Sequence, residues 1–128
     1  MYGSIMKTLI VLASLYHSDY LKFMERARSE WLRDLGFNRI VRMREQRVAF
    51  AIKNIAVDFI RPVRLEDMLI VGVTLQCFGR ASLNFEHKIS SMTDELLCYG
   101  HVKVACDNAD TLRPRQIPHD LMYKIPKV

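Results

Sequence analysis

Tyr16 and His17 stand immediately before a segment that has the pattern of a long helix. Backbone N–H groups in the first turn of a helix have no partner within the helix, and the helix dipole makes that end positive. Such an end can polarise a carbonyl group or hold an anion. A histidine beside a helix start is also common as an incidental polar residue, so His17 by itself leaves both interpretations open.

The other residues capable of metal binding or nucleophilic chemistry lack the spacing of known sites. The chain has no zinc-ligand spacing, P-loop, dinucleotide-binding glycine motif or nucleophile elbow. We therefore expect no metal and no cofactor. His87 falls on the apolar face of a predicted strand, where a hydrogen-bonded core histidine is expected. The odd set of Cys77, Cys98 and Cys106, in apolar surroundings, indicates buried thiols in a reducing cytoplasm.

The segment after His17 predicts the organising element of the fold, a helix from Ser18 to Gly36. Ser18 or Asp19 can cap its first turn, and Gly36 suits the left-handed residue that ends a helix. One apolar stripe recurs at helical spacing and consists of Tyr20, Phe23, Met24, Ala27, Trp31 and Leu35. The charged residues of this segment, Arg28 among them, are predicted to lie on the other side of the helix.

Downstream of the helix, apolar and polar residues alternate as they do in long strands. The predicted strands are Val48–Ile60, Leu69–Phe78, Ser82–Ser90 and Leu96–Cys106, after a short first strand at Ile40–Met43 and before a short terminal helix at His119–Ile125. On the second long strand, the predicted apolar face consists of Val71, Val73, Leu75 and Cys77. An antiparallel sheet needs its apolar face covered, and the long helix has the matching stripe. We therefore predict one α+β domain over residues 1–128, with an antiparallel sheet wrapped around one long central helix.

The 128-residue chain carries a formal net charge of +5 at pH 7. This balance mildly favours an anionic partner, either nucleic acid or a phosphate-bearing ligand, although a solvated basic surface gives the same value. Nucleic acid is the weaker alternative, because no helix has a basic face and no aromatic platform accompanies the basic residues. The apolar run after Lys7 imitates a signal peptide but is too short to span a membrane, so we predict a cytoplasmic protein.

The segment Tyr16 to Phe37, YHSDYLKFMERARSEWLRDLGF, resembles the helix of the Tol-Pal-associated acyl-CoA thioesterases, within the 4-hydroxybenzoyl-CoA thioesterase family. The resemblance continues through IAVDFIRPVRLEDMLIV, GRASLNFEHKI and RPRQIPHDL, and so covers nearly everything after Leu15. It implies the hot-dog fold, in which a sheet wraps around a central helix, and homodimers or homotetramers with acyl-CoA sites between subunits. It also implies hydrolysis of acyl-CoA thioesters, with coenzyme A present only as part of the substrate.

The resemblance implies roles for six residues of this chain. His17 and Tyr16 are implied to be catalytic, with the backbone N–H at His17 polarising the thioester carbonyl. Substrate-binding residues are implied at Ser18, Asp19, Arg61 and Ser82. Acyl carrier protein and a peripheral membrane surface are further partners compatible with the resemblance. The alternative function is a non-catalytic hot-dog module that binds acyl-CoA or acyl carrier protein.

The N-terminal segment departs from the family pattern. The family signature, E-D-T-D-x-x-G-x-V-Y-H, ends in the residues found here as Tyr16 and His17, and its second Asp acts as nucleophile or general base. Ile10 occupies the place of that Asp, and no carboxylate precedes Asp19. The chain with Ile10 is therefore expected to have lost most of the family's activity.

A change of reading frame would account for this departure. Met6 to Leu15 can be encoded so that a frame starting at the third base reads E-D-T-D-S-A-G-I-V, which completes the signature in register with Tyr16. We interpret the segment as the product of two compensating frame changes. The DNA sequence of the gene tests this interpretation, since upstream bases that do not continue a family N-terminus out of frame would rule it out.

Overall fold

The structure is a computed structural model that describes residues 6–12, 18–62 and 68–125. Its elements in chain order are β1 (Met6–Leu12), α1 (Ser18–Asp34), α2 (Arg39–Gln46), β2 (Val48–Phe59), β3 (Met68–Phe78), β4 (Ser82–Ser91), β5 (Leu96–Asn108) and α3 (His119–Lys124). None of the helices in these ranges is both long enough and apolar enough to cross a membrane.

The five strands form one antiparallel sheet in the order β1-β3-β4-β5-β2. Within the described ranges, β1 and β2 are therefore the two edges of the sheet. Because side chains alternate between the faces of a strand, each strand contributes one apolar set to the same face. α1 lies on that face and packs on β3 and β1. The predicted α+β class, with an antiparallel sheet wrapped around one long helix, is confirmed.

α1 buries the predicted stripe and stops beside the predicted glycine. The buried members of the stripe are Tyr20, Met24, Ala27, Trp31 and Leu35. The chain leaves the helix through Gly36, whose φ of +80° suits a residue without a Cβ, and the N–H of Phe37 donates to the carbonyl of Leu32 at 3.0 Å. Seventeen helical residues span roughly 25 Å, so α1 runs along most of the length of the sheet.

One charged residue of α1 lies in the core rather than on the solvent side. Arg28 is 5 % exposed, and its Nη1 lies 3.0 Å from Nε2 of His87, a fully buried residue of β4. Burial is the main cause that lowers the pKa of Arg28 to about 10 and the pKa of His87 to about 3. At neutral pH a charged guanidinium therefore donates to a neutral imidazole. The prediction of a hydrogen-bonded core histidine is confirmed, whereas the predicted position of Arg28 is wrong because His87 provides an acceptor inside the core.

The segment predicted as a short strand at Ile40–Met43 is instead part of α2. Oδ1 of Asn38 caps this helix, since it accepts hydrogen bonds from the N–H groups of Ile40 and Val41 at 3.0 and 3.1 Å. Arg47 ends the helix in the left-handed conformation, with a φ of 55°. A short apolar run has no clear period of its own, so the cap at Asn38 is the feature that distinguishes helix from strand here.

A β-bulge reverses the predicted face of Cys77. The pairing of β3 with β4 shifts between Leu75 and Cys77, so Leu75 is buried whereas Cys77 is exposed. An extra residue in one strand moves every later side chain to the other face. Cys98 and Cys106 are buried as predicted, and burial raises the pKa of each thiol to about 11.

The apolar run before α1 forms β1, an edge strand that the sequence pattern did not predict. β1 pairs with β3, and Ile10 stands opposite Ile70. Val11 is buried and Leu9 packs against the core, whereas Ile10 is 60 % exposed. The alternation of the strand therefore turns Leu9 and Val11 towards α1 and turns Ile10 away from it.

The stability of the fold should depend on pH through His87. The imidazole has an ordinary pKa of 6.5 and a pKa of about 3 in the fold, so the unfolded state binds the extra proton between these values. The stabilisation is complete above the ordinary pKa and is lost as the pH falls towards the folded pKa, at about 1.4 kcal/mol per pH unit. Urea titrations between about pH 7 and pH 4 should show this loss in the free energy of unfolding.

The matched control is His87→Gln, because its amide oxygen can accept from Arg28 but does not titrate. Both proteins carry the same carboxylates, so the difference between their two stability curves isolates the imidazole. Parallel curves over this range would contradict the lowered pKa of His87.

Candidate functional site

The predicted catalytic residues, Tyr16 and His17, lie outside the described residues. α1 begins at the next residue, Ser18, and Asp19 follows in its first turn. The start of α1 lies near the last residues of β2, because Tyr20 contacts Phe59 through their rings. The candidate site is therefore described from Ser18 onwards, at the end of the sheet where β2 ends and β5 begins.

Three uncharged side chains lie together at the start of α1: Tyr20, Phe59 and Cys98. We call them the neutral floor. The ring centroid of Tyr20 lies 5.4 Å from that of Phe59, and Phe59 pairs with Cys98 at the start of β5. Burial, followed by the charge that a Cys98 thiolate would carry, raises the pKa of the Tyr20 phenol. Burial also raises the pKa of Cys98, so both groups stay protonated and uncharged at neutral pH.

Met24, one turn further along α1, rests on Gly100 of β5. A Cβ at Gly100 would lie 3.1 Å from Cε and 3.3 Å from Sδ of Met24, so glycine permits this close approach of helix and strand. The sequence prediction did not include Phe59, Cys98 or Gly100 among the site residues. A glycine inside an alternating strand was the available signal for the close approach at Gly100.

Arg61 lies at the same end of the sheet as the helix start. Its N–H donates to the carbonyl of Leu97 at 3.1 Å, just beyond the end of β2. Its Nε lies 3.7 Å from Oε2 of Glu95, and the two side chains are 61 % and 52 % exposed. Exposed ion pairs of this kind are worth little, so Glu95 holds the Arg61 side chain only weakly.

Ser82 lies at the opposite end of the sheet. It pairs with Ala105 of β5, which in turn pairs with Ala51 near the start of β2. Phe59, beside the helix start, is eight residues beyond Ala51, which corresponds to roughly 27 Å of strand. A single chain therefore does not bring Ser82 together with Arg61.

A polar cleft of about 230 Å³ lies on the face of the sheet opposite α1. Its lining residues are Asn54, Gln76, Asn84, Phe85, His101, Val102 and Lys103. Beside it, Glu86 accepts hydrogen bonds from the Tyr99 hydroxyl and the Gln76 amide. Polar side chains are ordinary on the solvent face of an antiparallel sheet, and the sheet separates this cleft from the helix start. In the part of the chain that the structure describes, no three His, Cys, Asp or Glu residues are grouped to hold a metal ion.

β2 exposes an apolar face along the free edge of the sheet. Ile52, Ile55 and Phe59 are 51, 40 and 54 % exposed. α1 packs mainly on β3 and β1, and α2 contacts β2, yet these three β2 side chains remain largely uncovered. The start of α1, where Tyr20 meets Phe59, forms the border of this uncovered region. The candidate site therefore has one wall, α1, and is open towards the free edge of β2.

Comparison with known proteins gives a consistent result. A model of the thioesterase-like superfamily matches residues 11–125. The chain is 35 % identical to the acyl-CoA thioesterase YbgC of Haemophilus influenzae over 107 residues, which are 84 % of this chain and 78 % of that protein. It is 34 % identical to the acyl-CoA thioester hydrolase YbgC of Escherichia coli O6:H1 over 108 residues, which are 84 % of this chain and 80 % of that protein.

A solved structure gives the same result for the fold. The probable thioesterase from Bartonella henselae superposes with a TM-score of 0.81 at 25 % identity, over 88 % of this chain and 99 % of that chain. The predicted hot-dog fold is confirmed by this likeness and by the five-stranded sheet around α1.

Gly100→Ala should disturb the packing of α1 on β5 near the start of the helix. The added Cβ would meet Met24 at 3.1 Å, so the thioether must move, and we expect a loss of about 1 kcal/mol in the free energy of unfolding. The matched control is Gly72→Ala on β3, whose Cβ would meet Lys88 O at 3.6 Å and Thr8 Cγ2 at 3.9 Å, both ordinary contacts. The control should be neutral or slightly stabilising. Equal effects of the two substitutions in urea titrations would contradict the close fit at Gly100.

Proposed function

The chain belongs to the thioesterase-like superfamily, and we propose that it is an acyl-CoA thioester hydrolase. The observation that carries this proposal is the position of α1, whose start lies at the end of the sheet over the neutral floor of Tyr20, Phe59 and Cys98. The family match over residues 11–125 includes Tyr16 and His17 immediately before that start.

In the proposed reaction, the backbone N–H at His17 polarises the thioester carbonyl, and the helix dipole stabilises the oxyanion that forms. A carboxylate takes a proton from water, the water oxygen bonds to the carbonyl carbon, and the carbon–sulfur bond breaks. Coenzyme A then leaves as the thiol after protonation of its sulfur. Tyr16 precedes His17 in the sequence, Ser18 and Asp19 begin the helix, and Arg61 would meet a phosphate of coenzyme A at the same end.

The carboxylate is the component that this chain lacks. Ile10 occupies its place in the sequence, and this residue is 60 % exposed in the middle of β1, on the face turned away from α1. A carboxylate at position 10 of this strand would therefore point away from the helix start. The missing carboxylate therefore has two causes: the residue at position 10 is an isoleucine, and its position in β1 faces away from α1. We expect the activity of the chain with Ile10 to be low.

Two variants separate residue type from geometry in an assay of thiol release from short-chain and long-chain acyl-CoA. Ile10→Asp should leave kcat unchanged, because the new carboxylate faces away from α1. Replacement of residues 7–15 by Glu-Asp-Thr-Asp-Ser-Ala-Gly-Ile-Val should raise kcat by about 10³-fold.

Recovery of activity in Ile10→Asp would contradict the geometric explanation. Equal activity of the parent and the segment-replaced chain would contradict the need for the carboxylate. Acyl-CoA binding without turnover in the segment-replaced chain would instead favour the non-catalytic module.

We also propose that the working unit is a homodimer formed through β2. β2 is a twelve-residue edge strand with Ile52, Ile55 and Phe59 exposed, and such an edge is suited to pairing with another chain. Antiparallel pairing of two copies of β2 would bring the Ser82 end of one subunit to the helix-start end of the other. In this arrangement the partner's Ser82 would lie at the same end as Arg61, as the implied substrate-binding role of both requires. A homotetramer would be a further association of two such dimers.

Ile55→Asp should shift the protein from dimer to monomer. The carboxylate would lie in the apolar surface that the proposed dimer buries, so the Kd of the dimer should rise at least about tenfold. Sedimentation velocity over a range of protein concentrations measures this shift. Ile10→Asp is the matched control, since it adds the same charge to an exposed isoleucine on the other edge strand. A monomeric parent protein, or equal dissociation of both variants, would contradict the β2 interface.

The finer assignment rests on the helix sequence. Tyr16 to Phe37 supports a place among the Tol-Pal-associated enzymes of the 4-hydroxybenzoyl-CoA thioesterase family. The names of the two YbgC relatives support acyl-CoA as the substrate. Acyl carrier protein presents a thioester of the same chemistry and is a further candidate partner. Free thiols at Cys77, Cys98 and Cys106 support a reducing, cytoplasmic location.

A further inference from the structure

α2 is an amphipathic helix whose aliphatic side chains face solvent, whereas its central arginine faces the protein. Its aliphatic residues Ile40, Val41 and Met43 are 66, 40 and 41 % exposed, and no residue of the helix is buried. Arg42, by contrast, has a side chain that is only 19 % exposed. A surface helix ordinarily turns its apolar side to the core and its charged side to solvent. The opposite arrangement in α2 leaves an apolar face in need of a partner.

Polar contacts hold α2 against the rest of the protein. The guanidinium of Arg42 lies 4.7 Å from the centre of the Phe37 ring and forms a two-pronged ion pair with Asp120 of α3. Arg39 donates to Oγ of Ser29 on α1. Because the arginines anchor the helix, its aliphatic side is free to contact something outside the chain.

Two further apolar side chains flank this helix. Leu112 is 72 % exposed in the turn where Asp110 pairs with Arg47, the residue that ends α2, at 2.8 Å. Tyr123 is 88 % exposed on α3, one turn beyond the Asp120 that binds Arg42. We call α2 together with Leu112 and Tyr123 the α2 surface.

The α2 surface is also positively charged. Arg44 is exposed and has no ion-pair partner within residues 6–12, 18–62 and 68–125. Arg113 is exposed in the turn next to Leu112. The acidic residues of the two flanking elements, Asp110 and Asp120, are already paired with arginines. Glu45 of α2 is exposed and forms no ion pair in the described ranges, so it offsets one of the two arginines. The unpaired charge that remains from Arg44, Arg113 and Glu45 is positive.

We propose that the α2 surface docks on an anionic lipid membrane. Arg44 and Arg113 would meet the headgroup phosphates, while Ile40 and Met43 would enter the boundary between headgroups and acyl chains. Tyr123 suits that boundary, because its ring is apolar and its hydroxyl is polar. The surface surrounds the C-terminal end of α1 and its connection to β2, so docking there would leave the helix start at the other end of the molecule accessible.

A membrane fits the α2 surface better than a protein partner does. Symmetric contact with a second copy would place this positively charged surface against a copy of itself, and like charges repel. A stable protein interface needs about 800 Å² from each partner, whereas a helix of eight residues presents few side chains. On a membrane, each inserted apolar side chain and each cation adds to binding without a preformed complementary surface.

Co-sedimentation of the full chain with lipid vesicles tests the proposal. We expect binding to vesicles of phosphatidylcholine with about 30 % phosphatidylglycerol, weaker binding at higher salt, and no binding to phosphatidylcholine alone. Arg44→Glu should weaken binding at least about fivefold, because it removes one cation and adds a negative charge at the lipid surface. The double variant Ile40→Ser with Met43→Ser should weaken it at least about as much.

Two matched controls keep the test specific. Lys103→Glu makes the same charge reversal at an exposed residue of β5, and Met92→Ser removes a 55 % exposed apolar side chain from the turn between β4 and β5. Both controls should bind vesicles as the parent does, and urea titrations should show that all variants are folded. Failure of the parent to bind anionic vesicles, or equal losses in the controls, would overturn the proposal. So would α2 variants that alter the oligomer mass or the binding of an acidic carrier protein while vesicle binding is unchanged.

Discussion

A single helix cannot cover a five-stranded sheet. An α-helix with its side chains is roughly 10–12 Å wide, whereas five strands about 4.8 Å apart present a face nearly twice that width. In this chain α1 packs on β3 and β1, and the apolar residues of β2 are left at the edge of the covered region. The proposed dimer covers that remainder. The proposed acyl-CoA site lies at the boundary, where the helix start meets uncovered apolar surface and an acyl chain can be received without disrupting the core.

The position of that boundary depends on how α1 is held along the sheet. Tyr20 contacts Phe59 near the start of the helix, and Arg28 meets His87 about two turns further on. If the helix slid by one turn, a buried guanidinium would lose its acceptor, which costs several kcal/mol. Apolar contacts alone tolerate small displacements more easily. The buried polar pair therefore fixes the position of the helix, and with it the place of the candidate site.

The parts of the fold that could be predicted from the sequence are those where many residues follow the same periodic pattern. The stripe from Tyr20 to Leu35 and the alternation along β4 each involve several positions, so one exception does not change the interpretation. Arg28 was misplaced because its acceptor is 59 residues away along the chain. Cys77 changed face because of one extra residue in a bulge, and α2 depended on the single cap at Asn38. The capping residues Ser18 and Asp19 predicted the helix start, and the resemblance gave it a proposed role. Ser82 and Arg61 are separated within one chain by the pairing register across β2, β5 and β4. The pattern of a single strand does not determine how it pairs with its neighbours, so this separation could not be predicted.

β1 places few demands on the amino-acid sequence that forms it. The strand has one neighbour, β3, and the ladder between them is made of backbone groups that are the same in any sequence without proline. Of its seven residues, Leu9 and Val11 meet the core, and Lys7 reaches Asp34 at 2.8 Å. An edge strand therefore requires only an approximate alternation of apolar and polar residues, which many unrelated sequences provide. At this edge the fold tolerates changes of sequence that a catalytic residue would not tolerate, so loss of a catalytic residue and loss of the fold are separate events.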